Sequence, residues 1–265
     1  MALGKLFSIR RLQKGGYCSD KLADAEQLFL APPFTEDVVG AVSLISTRLP
    51  LKADEASRLL WQRESNAASS SEYEALRPLF EQMPKPQRIL EIGPGLGRSV
   101  VFFLKKQVWY PTAQIDLYEA TGQSSKYKQK YYDAPPPTHA PGTETTFCGN
   151  IPLLESMLRY NGIERFNIFD ASQTELGALP GNYDLIYAFY SIGFHWSLEH
   201  YLDDLAKLMH ERSVFICTLN KHFRPFARLK DFQVRVVEVK GLKVSRPERL
   251  MILSKNALPP IGSAL

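Results

Sequence analysis

The chain has 265 residues, of which 45% are hydrophobic and 23% are charged, and its net charge is +4 at pH 7. These values are typical of a folded chain with one domain and an extension, or with two small domains, and they exclude global disorder and collagen-like repeats. The small positive surplus gives no argument for binding to nucleic acid or to a membrane surface.

The three cysteines, Cys18, Cys148 and Cys217, are far apart and form no Cys-x-x-Cys pair. This pattern disfavours a zinc site or a secreted disulfide framework, so we expect free thiols in the reducing cytoplasm. No apolar run approaches the ~20 residues that cross a bilayer, and we expect no stable membrane insertion. The basic first 17 residues lack the apolar stretch of a secretory signal. A basic terminal arm is the favoured interpretation, with an organellar transit peptide as the alternative.

Residues 1–87 carry helical patterns broken by loops, and we predict a helical N-terminal extension that forms a lid over the second unit. One helix is predicted over Ala53–Gln62. A second is predicted to begin at Ser71, because Ser71 and Glu74 fit a capping box, and to end at Pro84.

Residues 88–265 form the second predicted unit, in which strand and helix patterns alternate. The predicted strands are Arg88–Ile92, Gln114–Glu119, Phe166–Phe169, Tyr183–Tyr190, Ser213–Leu219, Gln233–Val239 and Arg249–Leu253. The predicted helices are Leu96–Gln107, Ile151–Tyr160 and Leu198–Met209. Such alternation is typical of a parallel sheet with helices on both faces. The last two strands lie too close together for a crossover helix, so we predict an antiparallel hairpin at the sheet edge.

A long segment separates the second predicted strand from the helix that follows it. Its part Asp133–Thr146 contains four prolines. A connection of this length is uncommon in a compact domain. We predict a surface insertion, whose role the sequence leaves open.

The most specific segment is a glycine loop between the first strand and the first helix of this unit. It reads Glu91-Ile92-Gly93-Pro94-Gly95-Leu96-Gly97. Glycine in such a loop allows a tight turn, a close approach of the backbone to a ligand, and close contact with a helix. The glycine spacing differs from the Gly-x-Gly-x-x-Gly of dinucleotide-binding loops. The carboxylate of Glu91 suits a cationic ligand better than a pyrophosphate, which disfavours a nicotinamide-dependent oxidoreductase. A turn that binds no ligand is the alternative.

Two further acids follow strands in the expected order. Glu119 ends the second strand, where a carboxylate accepts hydrogen bonds from ribose hydroxyls. Asp170 follows the third strand, where it is placed to accept a hydrogen bond from an adenine amine. Each acid alone also suits a solvated strand end. Together with the glycine loop, they favour a nucleoside site at the carboxyl edge of the sheet.

Residues 88–254 resemble the class I S-adenosylmethionine-dependent methyltransferases. The family's acid-x-Gly-x-Gly-x-Gly motif is matched at Glu91–Gly97, and its acids after strands two and three are matched by Glu119 and Asp170. The resemblance implies a Rossmann-like seven-stranded sheet of order 3-2-1-4-5-7-6 with strand 7 antiparallel. It implies S-adenosylmethionine as the cofactor, with Gly93, Gly95 and Gly97 near its amino-acid part and Ala171 beside the adenine. The full predicted cofactor set is Glu91, Gly93, Pro94, Gly95, Gly97, Glu119, Asp170 and Ala171.

A narrower resemblance concerns three segments. Tyr183–Trp196, Trp61–Asn66 and Glu72–Leu76 are similar to regions of sugar O-methyltransferases. This implies methyl transfer to a hydroxyl of a small acceptor, a sugar or a glycoconjugate. We expect the loop after strand one to face Ser191–Trp196 after strand four across the transferred methyl group. His195 lies there and is the candidate general base for the hydroxyl proton, with a structural histidine as the alternative.

Other functions stay open at this point. They are N- or C-methylation, methyl transfer to another small molecule, and a catalytically silent binding or scaffold protein. The intact glycine loop and ribose acid disfavour the silent protein. No Asn/Asp-Pro-Pro-Tyr/Phe element follows strand four, which disfavours amino-group methylation of nucleic acid. No set of three carboxylates indicates a metal, so none is predicted, and the oligomeric state is left open.

Overall fold

The structure is a computed structural model that describes residues 26–45, 51–107, 109–119, 150–193, 198–219, 223, 227–239, 248–256 and 258. The α-helices in these residues are α1 (Glu36–Ile45), α2 (Glu55–Phe80), α3 (Arg98–Lys106), α4 (Ile151–Tyr160) and α5 (Leu198–Leu208). The strands are β1 (Arg88–Ile92), β2 (Gln114–Glu119), β3 (Asn167–Asp170), β4 (Tyr183–Ala188), β5 (Met209–Leu219), β6 (Gln233–Val239) and β7 (Glu248–Ser254).

The strands form one seven-stranded sheet of order β3-β2-β1-β4-β5-β7-β6. Strands β1 to β5 are parallel to their neighbours among themselves, whereas β7 is antiparallel to both β5 and β6. This confirms the predicted Rossmann-like sheet of order 3-2-1-4-5-7-6 with an antiparallel strand 7. The carboxyl ends of the parallel strands therefore meet at one edge, and the strand order reverses between β1 and β4. That reversal opens a crevice at which α/β sheets of this kind bind ligands.

Two hydrophobic clusters cover the two faces of the sheet. Alternation along β1 divides its side chains, with Ile89 in one cluster and Leu90 in the other. The first cluster holds apolar side chains of α1, α2, α3 and α4, and the second holds those of α5. Helices therefore lie on both faces, as predicted, and bury the strands between them. The described part of residues 1–87 belongs to the first cluster.

Most predicted boundaries are close to the observed ones, and α4, β1, β2 and β6 match. Two differences have a backbone cause. Helix α3 begins at Arg98 rather than Leu96, because Gly97 is the N-cap with a φ of 78°. Strand β4 ends at Ala188 rather than Tyr190, because Tyr190 has a φ of 56°, which an extended strand does not allow. The other strands and α5 differ by one to four residues at an end.

Helix α2 corrects a larger prediction, because one helix of 26 residues replaces the two that were expected. Its N-cap is Asp54, whose side chain accepts a hydrogen bond from the Ser57 amide at 2.7 Å. Ser71 lies inside the helix, so the predicted capping box is wrong. The helix ends at Phe80, before the predicted limit at Pro84.

The polar residues in the middle of α2 explain this error. Gln62 and Asn66 are buried, and their side-chain oxygens accept hydrogen bonds from the amides of Ala31 and Phe29, each at 2.9 Å. The first predicted helix ends at Gln62, and Asn66 falls in the predicted gap before the second. In the structure they hold an extended segment 31 to 37 residues away along the chain.

Among the described residues, no helix combines the length and the apolar character needed to cross a membrane.

Candidate functional site

The loop after β1 depends on glycine at three positions. Gly93, Gly95 and Gly97 have φ values of 68°, 58° and 78°, which side chains rarely tolerate. The Gly97 amide donates a hydrogen bond to the Pro94 carbonyl at 2.9 Å. The loop is thereby a compact turn that delivers the chain from β1 into α3.

Gly93 brings the loop into contact with the turn that follows β4. A Cβ atom at Gly93 would lie 2.5 Å from the Ser191 Oγ and 2.7 Å from the Ser191 Cβ. No real Cβ comes that close, so glycine is required. The segments after strands one and four therefore meet at the crevice. The sequence predicted that they face each other there across the transferred methyl group, and the position of that methyl group stays a prediction.

Gly97 allows a second close approach. A Cβ atom there would lie 3.1 and 3.2 Å from the side chains of Leu154 and Leu158 on α4. The sequence predicted a close contact at this glycine, and the structure shows that α4 supplies it.

Glu119 lies beside the glycine loop. Its side chain is buried, and Oε2 accepts a hydrogen bond from the Gly95 amide at 2.9 Å. Its carbonyl accepts another from the Ala171 amide at 2.8 Å. Glu119, which was predicted to bind the ribose, therefore contacts both the glycine loop and Ala171, which was predicted to lie beside the adenine.

Asp170 is paired with Glu119 in the register of β2 and β3. Its carboxylate accepts hydrogen bonds from the Ser172 amide at 2.8 Å and from the Gln173 side chain at 3.3 Å. Asp170 therefore shapes the turn after β3, a role that the sequence did not indicate. Ala171 is buried behind this turn.

Glu91 is the most unusual acid of the site. Only 1% of its surface is exposed, and the Ser99 hydroxyl is hydrogen-bonded to Oε1. In the described part of the chain, Oε2 has no hydrogen-bond partner of ordinary geometry. Burial raises the pKa of Glu91 to about 8, while Ser99 and the nearby Arg98 act in the opposite direction. The carboxyl group is consequently mostly protonated at pH 7. Its Oε2 forms no hydrogen bond of ordinary geometry, although the Tyr187 hydroxyl lies close enough to act on the carboxyl group.

Tyr187 on β4 shares this environment. Its register partner on β1 is Glu91. Burial, and then the neighbouring Glu91 carboxyl group, raise the pKa of Tyr187 well above its ordinary value. A neutral phenol and a largely neutral carboxyl group therefore lie next to each other below the glycine loop.

Sequence reasoning missed an ion pair beside the loop. The Arg98 guanidinium donates hydrogen bonds to both carboxylate oxygens of Glu72, at 2.8 and 2.9 Å, and to the Ser69 hydroxyl at 2.8 Å. Its Cζ also lies 5.6 Å from the centre of the Tyr190 ring. One signal was present in the sequence, because Ser69 and Glu72 are polar residues three positions apart and therefore share a helix face.

Several predicted features fall outside the described residues. These are the candidate base His195, its neighbours Phe194 and Trp196, and the proline-rich segment 133–146. Within the described ranges, no three His, Cys, Asp or Glu side chains are grouped so as to hold a metal ion.

No protein-family model matches the sequence, and no curated protein matches it. The chain is similar to solved structures of a precorrin-6y C5,15-methyltransferase from Geobacter metallireducens, the mitomycin 7-O-methyltransferase MmcR, and cofactor-bound Rv0187 from MTB. The identities are 13%, 15% and 13%, with TM-scores of 0.45, 0.44 and 0.45. The matches cover 72%, 77% and 85% of this chain and 89%, 58% and 100% of those chains. Similarities at identities and TM-scores this low contain no information about the ligand or the reaction of this chain.

Proposed function

We propose that this chain is an S-adenosylmethionine-dependent O-methyltransferase that acts on a hydroxyl of a small acceptor, a sugar or a glycoconjugate. One observation carries the proposal. A loop of three glycines with positive φ meets Glu119 and the buried Glu91 at the reversal point of the sheet. An open α/β sheet binds its ligand at that point.

The residues present fit this cofactor. Gly93 and Gly95 would lie against its amino-acid part, where a side chain would block the approach, with Pro94 and Gly97 shaping the loop. Glu119 would exchange its hydrogen bond with the loop for the ribose hydroxyls. Asp170 and Ala171 would border the adenine.

The buried carboxyl group of Glu91 favours a ligand that carries positive charge. Its Oε2 is buried without a partner, and such groups are rare in folded proteins unless a ligand or water satisfies them. A nearby cation favours the charged form of a carboxyl group. S-adenosylmethionine supplies both a cationic sulfur and the methyl group. The loop and the Ser191 turn would hold the cofactor in line with an acceptor, since alignment is the main requirement of such a transfer.

The acceptor part of the proposal depends on the sequence resemblance. The hydroxyl must lose a proton, and we assign its removal to His195. Trp61, Gln62 and Asn66, which contribute to the resemblance to sugar O-methyltransferases, are buried. These three side chains therefore support the fold around the site, and the sugar assignment needs its own test.

Calorimetric titration of the purified protein with S-adenosylmethionine, S-adenosylhomocysteine and NAD tests the cofactor. We expect both sulfur compounds to bind and NAD not to bind. If folded protein binds neither sulfur compound, the methyltransferase proposal is wrong and a silent scaffold protein becomes the better description.

His195→Ala tests the general base after a screen of sugars has given a methylated product. We expect turnover to fall by about 100-fold or more, while S-adenosylhomocysteine binds as before. Unchanged turnover would remove His195 from the reaction. Methylation of no sugar but of another hydroxylated compound would correct the acceptor class.

A further inference from the structure

Arg98 occupies the first position of α3, directly after the last glycine of the loop. Its guanidinium is held from α2 by the bidentate pair with Glu72 and by Ser69. The Glu72 side chain is fully buried, and that of Arg98 is 20% exposed. A fork of two parallel hydrogen bonds fixes the direction as well as the distance of the contact.

The glycine loop forms one wall of the crevice, and the Tyr190–Ser191 turn after β4 forms the other. The Arg98 guanidinium also contacts this second wall. Its Cζ lies 5.6 Å from the centre of the Tyr190 ring, within the range of a cation–π contact. Tyr190 has a φ of 56° and directly precedes Ser191, the residue that contacts Gly93. One side chain therefore touches α2 and the turn after β4, while its own backbone continues the glycine loop.

Stability alone does not explain a pair of this kind. Removing two charges from water costs free energy, and well-packed apolar residues often stabilise a protein as much as a buried ion pair does. What the pair supplies is a defined geometry between three elements. Because Glu72 compensates the charge of Arg98, the guanidinium is also a poor candidate for binding an acidic ligand.

We infer that Glu72 and Arg98 are positioning residues that couple helix α2 to both walls of the cofactor crevice. The pair sets the glycine loop against the Tyr190–Ser191 turn, so that the affinity for the cofactor depends on a helix of the N-terminal extension. The inference rests on the proposed function and deepens it, because neither residue belongs to the predicted cofactor set.

The test separates positioning from stability. Binding of S-adenosylhomocysteine is measured by calorimetry, and unfolding by urea, for wild type, Arg98→Met and the double variant Arg98→Met with Glu72→Met. Arg98→Met removes the guanidinium that compensates the buried Glu72 carboxylate, so we expect lower stability and an affinity at least about tenfold weaker. The double variant removes both charges. We expect it to regain most of the stability but not the affinity, because the hydrogen bonds from position 98 to Glu72 and the contact of its guanidinium with Tyr190 are both lost.

The matched control is Asp116→Asn, which damages another ion pair of the sheet, Asp116 with Arg88, away from the loop. We expect this variant to lose stability while its folded fraction keeps wild-type affinity. Recovery of affinity together with stability in the double variant would overturn the inference, as would unchanged affinity in Arg98→Met. If the wild type binds no sulfur compound at all, it is the proposed function that fails.

Discussion

Buried carboxyl groups lie toward both ends of the parallel strands, and their surroundings differ. Toward the amino ends, Asp116 is fully buried on β2 and accepts hydrogen bonds from four side chains. The donors are Tyr183 at 2.8 Å, Asn167 at 2.7 Å, Gln114 at 3.3 Å and Arg88 at 3.5 Å. Both carboxylate oxygens of Asp116 accept hydrogen bonds from protein side chains, so the hydrogen bonding at this end of the sheet is complete without a ligand.

Toward the carboxyl ends, Glu91 has one hydrogen-bonded oxygen and one without a partner in the described residues. Both acids are equally hidden from water, so burial does not distinguish them. The difference teaches that the number of donors separates a carboxyl group that holds a fold together from one that still has bonding capacity for a ligand.

The largest effect is expected at the complete end. Asp116→Asn puts an amide NH₂ where at least one oxygen now accepts hydrogen bonds, and it removes the charge paired with Arg88. We expect the free energy of unfolding to fall by about 3 kcal/mol, measured by urea denaturation. Gln114→Ala is the control, because that side chain is exposed and its loss costs only about 0.5 kcal/mol. Equal losses in both variants would contradict a network centred on Asp116.

The second largest effect is expected in the glycine loop, at the carboxyl ends of the parallel strands. Gly93→Ala adds a Cβ that meets Ser191 and forces a side chain into positive φ. We expect a loss of about 2–3 kcal/mol in stability and weaker binding of S-adenosylhomocysteine by calorimetry. Ser191→Gly in the same chain should relieve part of the loss, whereas Ser191→Ala should not, because the Ser191 Cβ is itself only 2.7 Å away. Equal relief by both changes would show that the hydroxyl alone is the obstacle.

The smallest effect depends on pH. The pKa of Glu91 rises from 4.5 to about 8 in the folded protein, so between these pH values the folded chain holds a proton that the unfolded chain releases. The resulting contribution to the free energy of unfolding is fully present below pH 4.5 and is lost as the pH rises through 8. Glu91→Gln lacks this titration. Between pH 6 and 7.5, we expect wild type to lose ~2 kcal/mol relative to the variant, because each pH unit is worth about 1.4 kcal/mol. Urea midpoints at several pH values measure this, and parallel pH profiles would contradict a buried, protonated Glu91.

Much of the sheet could be predicted because its signals are local. The apolar runs of β1 and β2 and the glycine loop between β1 and α3 are readable within a few residues. The glycine loop and the two acids carry the resemblance that implied the strand order, which the structure confirms. They also led us to expect the loop after β1 opposite Ser191–Trp196.

The parts that could not be predicted depend on residues far apart in the chain. Asn66 looks like a helix breaker until its amide side chain is seen to hold Phe29. Arg98 looks like a solvated helix start until packing of α2 on α3 brings Glu72 to it. The missing hydrogen-bond partner of Glu91 Oε2 is likewise a result of packing, because water would reach this oxygen if the same motif were less tightly packed.

The Glu72–Arg98 contact also bears on how this chain can change over generations. Loss of either partner removes the charge that compensates the other, and loss of both is expected to weaken the cofactor site, so we expect neither position to vary independently of the other. They are 26 positions apart and lie in segments that would otherwise accumulate substitutions separately. We therefore expect an exchange of the N-terminal helices between relatives to keep the crevice intact only when position 98 is exchanged with them.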